Sequence, residues 1–185
     1  MNLITLDTNC LIDVEEERQG YEYVIGLKSL CQQEIIEIAI PAIIASEKKV
    51  KNQSITNFDE FKEFLANIGF EGFQLLLPPL FYGLTFWDYS MWASKETEAL
   101  IIEIHNILFN KSVTFESNDY ENLTKWKNEK CDVLMLWSHI HYQRDFFITR
   151  DRNFHKQSKK KDLIKLGAKS ILTPEEAFVY FSKVG

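Results

Sequence analysis

Apolar residues fall into two patterns along this 185-residue chain, short unbroken runs and longer stretches with helical spacing. Residues 3–6 form a run with β-branched members, cut off by Asp7, Thr8 and Asn9, and such a run reads as a buried strand. Residues 10–28 read as helical, with polar clutter at 15–19 and a glycine at 20. Residues 35–40 predict a second strand stopped by Pro41, and a proline in a first turn predicts a helix over 42–50. Phe58, Phe61, Phe64, Leu65 and Ile68 share one face of a helix over 57–68, which Gly69 ends. Residues 73–77, before Pro78 and Pro79, fit a short strand or an extended segment.

The stretch 80–92 is crowded with aromatics and has no clear period. Helical spacing returns over 94–109, and the polar residues 110–122 read as a loop or a broken helix. The last third is plainer. A dense apolar helix over 131–142 precedes a strand over 145–149, then a helix over 158–166 closed by Gly167. A final strand over 170–172 leads to a helix that Pro174 opens and that runs through Phe181. Strands alternating with helices predict an α/β fold with a mainly parallel sheet. No repeat, low-complexity tract or linker divides the chain, so one domain over 1–185 is expected.

Composition narrows the class. Apolar residues make up 45% and charged residues 26%, ordinary values for a globular protein. No apolar run nears the roughly 20 residues that cross a bilayer, and the N-terminus lacks the marks of a signal peptide. Cys10, Cys31 and Cys131 are odd in number and make no CxxC pair, which favours a reducing cytoplasm over a disulfide framework. A net charge of −6 argues against a general nucleic-acid coat. The basic tract over 155–162 is a local exception.

Candidate chemistry lies in four acids. Asp7 and Asp151 follow predicted strands, where ligands of parallel sheets bind. Asp132 opens the apolar helix, and Glu47 lies in the helix after the second strand. Carboxylates gathered in one place repel one another unless a cation compensates them. Magnesium and manganese take such oxygen ligands, activate water and neutralise a phosphodiester. Each acid also has a plain structural reading: Asp7 or Asp132 as a helix N-cap, Glu47 as a solvated face beside Lys48 and Lys49, Asp151 as an Asx-turn.

Taken together, ITLDTNCLID around Asp7, IPAIIASEKK around Glu47, KCDVLMLWSHI around Asp132 and FFITRDRNF around Asp151 resemble the PIN-domain nucleases. That family includes the toxin ribonucleases of bacterial toxin–antitoxin pairs. The resemblance implies a three-layer α/β/α sandwich, Mg2+ or Mn2+ at the acids, and hydrolysis of RNA, single-stranded by preference. It implies catalytic and metal-binding roles for Asp7, Glu47, Asp132 and Asp151, with Thr8, Asn9 and Thr149 bordering the site. An antitoxin protein and a second copy of the chain are candidate partners, and no membrane is expected. Two departures stand out. Asn153 occupies a place where many members carry another acid, and the stretch between Glu47 and Asp132 is long for a toxin-type member. An aromatic-rich insertion around 78–95 accounts for part of that length and would cap the groove, form an oligomer interface or simply enlarge the core.

Lys156, Lys159, Lys160 and Lys161, with Arg144, Arg150 and Arg152, are either phosphate holders or a solvated helix start. Asn9, Thr149, Arg150, Arg152 and Lys156 are the substrate-binding candidates. His139 and His141 lie two apart, so a helix points them to different faces, as in core or surface histidines rather than a metal pair. No dinucleotide, P-loop, zincin or serine-hydrolase motif occurs. Two competing readings remain: a PIN-like module that binds RNA or protein without cutting, and an aspartyl phosphohydrolase, for which Asn9 stands where a second aspartate is needed.

Overall fold

The computed structural model describes residues 1–47, 49–50, 53–54, 57–109 and 120–183, without the side chains of 47, 49–50, 53–54 and 120–123. Its elements run β1 (Asn2–Leu6), α1 (Thr8–Glu15), α2 (Tyr21–Gln32), β2 (Ile36–Pro41), α3 (Ile44–Glu47), β3 (Lys49–Val50) and β4 (Gln53–Ser54). They continue with α4 (Phe58–Asn67), β5 (Gln74–Leu76), α5 (Lys95–Phe109), α6 (Tyr120–His141), β6 (Phe146–Ile148), α7 (Arg152–His155), α8 (Gln157–Leu163), β7 (Ser170–Leu172) and α9 (Pro174–Phe181). Five strands form one sheet in the order β5-β2-β1-β6-β7, every pair parallel. The fold is therefore α/β with an all-parallel central sheet, as the alternation of patterns predicts. β3 and β4 make a separate antiparallel pair.

A parallel sheet is covered on both faces, so its strands are apolar throughout rather than alternating. Ile4, Leu6, Ile38, Ile40, Phe147, Ile148 and Ile171 are all buried. Right-handed crossovers, the rule in parallel sheets, predict α1 and α2 on one face and α5, α6 and α8 on the other. The packing agrees, since α9 and α1 contact α2 while α5 contacts both α6 and α8. Trp137 of α6 is the largest fully buried side chain. No helix among the described residues is long and apolar enough to cross a membrane.

Three sequence expectations need correction. The helix expected over 10–28 is two, broken where Glu17 (φ 47°) and Gly20 (φ 86°) enter the left-handed region. The helix expected over 42–50 is only α3, because Pro41 stays in the sheet, paired with Leu76, and β3 follows. The helix expected from 131 begins by Tyr120, so Asp132 lies in its interior and is not an N-cap. Residues 120–122 of the expected loop are thus helical, while 110–119 lie outside the described residues. The helix expected to reach 166 and close at Gly167 does so, its last turn being a π-turn in which Gly167 leaves helical geometry at φ 121°.

Polar side chains lock the amino-terminal edge of the sheet. Arg144, almost fully buried, donates through Nη2 to the carbonyls of Ile4 (2.8 Å) and Glu37 (2.9 Å). Its Nη1 meets the Glu37 carboxylate and, at 3.3 Å, Gln74 Oε1, so one guanidinium ties β1, β2 and β5. Asp145 accepts the Leu3 amide at 2.9 Å and pairs with Lys169 at 2.7 Å, which holds its carboxyl below the usual range against the cost of burial. Arg144 is thus a structural clamp rather than a phosphate holder.

His139 is a core histidine. Its Nε2 donates to the Ala168 carbonyl (3.0 Å), leaving Nδ1 to accept from the Thr5 hydroxyl (2.9 Å). His141 instead stacks on Trp137, ring centroids 4.4 Å apart. Burial lowers the His139 pKa from 6.5 to about 4. Below pH 6.5 the unfolded chain therefore binds a proton that the folded chain refuses. Stability is full above about pH 6.5 and falls as pH drops toward 4, by about 3 kcal/mol from this residue. Urea denaturation measured across that window should show the loss, and His139→Gln should flatten it. An unchanged slope in the variant would contradict the assignment.

Candidate functional site

All five strands of the sheet point the same way, so their carboxyl ends form one edge. Asp7 follows β1 at this edge and is 2% exposed. Its amide donates to the Ile148 carbonyl at 3.0 Å, which extends the β1–β6 ladder and fixes the backbone. Asp7 is the N-cap of α1 by position, yet its side chain makes no capping hydrogen bond. The carboxylate accepts instead from the Thr149 hydroxyl and, at 3.3 Å, from Asn9 Nδ2. The helix-cap reading of this side chain therefore does not hold.

Thr149 is fully buried just past β6, and its amide donates to the Leu172 carbonyl at 3.0 Å. Its one hydroxyl proton goes to Asp7, and the same oxygen accepts the Asp151 amide at 3.0 Å. One hydroxyl thus connects the two strand-end acids. Asp151 Oδ1 caps α7 by accepting the Asn153 amide at 2.8 Å, so the Asx-turn reading is right for that oxygen. The second oxygen makes no hydrogen bond among the described residues.

Asp132 is half-buried on α6, which runs antiparallel to β6 and enters it at the amino-terminal edge. From His141 back to Asp132 is about 13 Å at roughly 1.5 Å per residue. A strand of about five residues spans roughly 17 Å. Asp132 is therefore near the level of the carboxyl edge, and the helix beyond it overhangs that edge. α3, the helix ending in Glu47, packs on α6, and the Glu47 side chain lies outside the described residues.

One acid was missed by sequence reasoning. Glu129 lies one turn before Asp132, on the same helix face, with its side chain 10% exposed. Its Oε1 is 3.9 Å from Lys125, and its Oε2 is buried without a hydrogen-bond partner among the described residues. The spacing of Glu129 and Asp132 was the available signal. That spacing becomes a signal only because the helix extends back from 131 to Tyr120.

The substrate-binding candidates separate clearly. Arg150 sets its Nε 2.8 Å from Asp13 and donates through Nη1 to the Gln19 carbonyl at 2.7 Å. Burial pushes the Asp13 carboxyl up, against the opposing pull of Arg150 and Arg18. Gly20 is favoured by its φ of 86°, and a side chain there would also displace the Arg150 guanidinium, whose Nη2 it would meet at 2.2 Å. Arg150 thus pins the α1–α2 turn, beside a groove of about 880 Å³ that Tyr23 and Thr173 also line. Arg152 and Lys156 are exposed on or just after α7.

Asn153, in the place of a further acid, donates to the Leu108 carbonyl (3.3 Å) and accepts from Lys159 (2.6 Å) and Lys156 (3.3 Å). Lys159 is a partly buried anchor between α5 and α7 rather than part of a solvated helix start. Burial, with Lys156 nearby, lowers its pKa, while Asp151 opposes the shift. Among the described residues, no three acids, histidines or cysteines gather closely enough to hold a metal ion. Comparison of the chain with family models, curated proteins and solved structures finds no match.

Thr149→Val keeps the shape of this link and removes its hydroxyl. A buried carboxylate that loses one of its donors costs about 1–3 kcal/mol. Chemical denaturation should show that loss, with Thr149→Ser close to the parent. Equal stability of the valine variant would contradict the proposed role of the hydroxyl.

Proposed function

We propose that this chain is a divalent-metal-dependent nuclease that hydrolyses RNA phosphodiester bonds at the carboxyl edge of its sheet. The observation that carries the reading is the link from Asp7 through the Thr149 hydroxyl to the Asp151 backbone. It fixes two acids on adjacent strands, one of them buried, by contacts that capping does not explain.

The donor types suit a hard cation, although among the described residues no three of them gather closely enough to hold one as they stand. The donors are all carboxylate oxygens, and the buried Glu129 Oε2 has no hydrogen-bond partner among the described residues. Asp7, Asp132 and Asp151 would hold Mg2+ or Mn2+, with Glu129 and Glu47 as further oxygen donors. What such an ion would supply there is a more acidic water and neutralisation of charge on the phosphodiester. The chain's own residues do the positioning. Thr149 orients the Asp7 carboxylate, Asn9 donates to it, and Asp151 is held by the first turn of α7. Arg152 and Lys156 offer exposed cations to the phosphate backbone beside Asp151. A toxin role, with an antitoxin as partner, follows from the resemblance alone.

A second reading, an RNA-binding module that does not cut, is favoured by the lack of a preassembled metal cage among the described residues and by Asn153. The two separate in one assay. Purified chain should cleave single-stranded RNA in Mg2+ or Mn2+ and lose that activity in excess EDTA. Asp7→Asn should lower kcat at least about a hundredfold, on the order of 3 kcal/mol of barrier. Full activity in EDTA would sink the metal mechanism. RNA binding without cutting in any divalent ion would establish the binding module instead.

A further inference from the structure

Three successive residues at the end of β6 are fastened to the segment that starts α1. The Ile148 carbonyl accepts the Asp7 amide at 3.0 Å and the Cys10 thiol at 3.4 Å. The Thr149 hydroxyl donates to the Asp7 carboxylate. Arg150 then sets its Nε 2.8 Å from Asp13 Oδ2, held by charge rather than by an aligned hydrogen bond. Asp7, Cys10 and Asp13 recur at three-residue spacing, so one side of α1 runs past the strand end. Burial, then the charges of Asp7 and Asp13, push the Cys10 thiol up, and Arg150 opposes them. The two acids and the guanidinium thus surround one buried residue.

We propose that Asp13 and Arg150 are positioning residues for the strand-end acids: their ion pair holds the turn over 149–151 against α1 and so sets where Asp151 stands relative to Asp7. Three observations carry this. First, Arg150 lies in the chain between Thr149, which donates to Asp7, and Asp151, whose amide the Thr149 hydroxyl accepts. Whatever fixes Arg150 therefore fixes both neighbours. Second, the guanidinium is held at more than one point, by Asp13 on α1 and by the Gln19 carbonyl at 2.7 Å, in space that Gly20 leaves open. Third, the Asp13 side chain is only 5% exposed, and burial pushes its carboxyl up. A buried carboxylate paired with a guanidinium adds little stability that apolar side chains would not, so its use here is to define a position. For what the acids do, this role rests on the nuclease reading; for where they stand, it does not.

Amide hydrogen exchange in the full chain reads the position, and kinetics in Mg2+ read its consequence. Asp13→Asn should speed exchange of the Asp151 amide at least about tenfold by local opening of the turn. Gly20→Asn keeps a residue that tolerates positive φ but displaces the guanidinium, and should do the same without removing either charge. Arg150→Lys, with one ammonium for two partners, should fall between parent and Asp13→Asn. Lys169→Met loosens the opposite edge of the sheet and serves as the control for lost stability, with Asp151 exchange as in the parent. With RNA, Asp13→Asn should lower kcat at least about tenfold while KM stays within about twofold, and Lys169→Met should move neither. Unchanged Asp151 exchange in Asp13→Asn and Gly20→Asn would overturn the proposal. Exchange that quickens as much at the Leu3 amide as at Asp151 would mark the pair as merely structural and overturn it too, as would faster Asp151 exchange with kcat unchanged. Faster exchange confined to the turn, in a chain that cuts RNA with no divalent ion, would leave the positioning role standing and remove only the nuclease.

Discussion

A buried carboxylate is expensive unless a donor or a cation meets it, and Asp7 is buried at the end of the central strand. Everything at the carboxyl edge is arranged around that charge. The Thr149 hydroxyl reaches it only because Leu6 is in register with Ile148, which puts the strand-end residues side by side. The same oxygen then takes the amide of Asp151, so the second acid is placed by the requirement of the first. Register, burial and acid placement are one constraint.

The two edges of the sheet contrast in how they treat charge. At the amino-terminal edge Arg144 finds carbonyls and a carboxylate, Asp145 finds an amide and Lys169, and His139 stays neutral between Thr5 and Ala168. At the carboxyl edge Glu129 keeps a buried oxygen without a donor among the described residues, as Arg144 Nε lacks an acceptor at the other edge, and Asp151 keeps one oxygen unused by its cap. Spare carboxylate oxygens, costly in a merely structural setting, are what a hard cation requires.

The strands of the main sheet were legible because fully covered parallel strands are continuous apolar runs, and their order of appearance with helices implied the parallel sheet. Asp7 and Asp151 were legible for the same reason, as the polar residues that end two such runs. The start of α6 was not. Its overhang carries Lys125, Lys127 and Asn128 with little core to face, so no helical stripe is written there. That concealed the interior position of Asp132 and the pairing with Glu129. Pro41 misled because its place in β2, opposite Leu76, depends on a strand far along the chain. Arg150 looked like a free cation beside an acid, and only the fold shows Asp13 and Gly20 meeting it. The aromatic segment defeated periodicity because half its rings serve the core and half face outward.

The claim that these carboxylates form a cation site is tested most directly by diffraction from a crystal soaked in Mn2+, with data collected for anomalous scattering. The account predicts a manganese peak in contact with Asp7, Asp132 and Asp151, lost in Asp7→Asn crystals soaked in the same way. A well-ordered edge with no peak among these acids would contradict it.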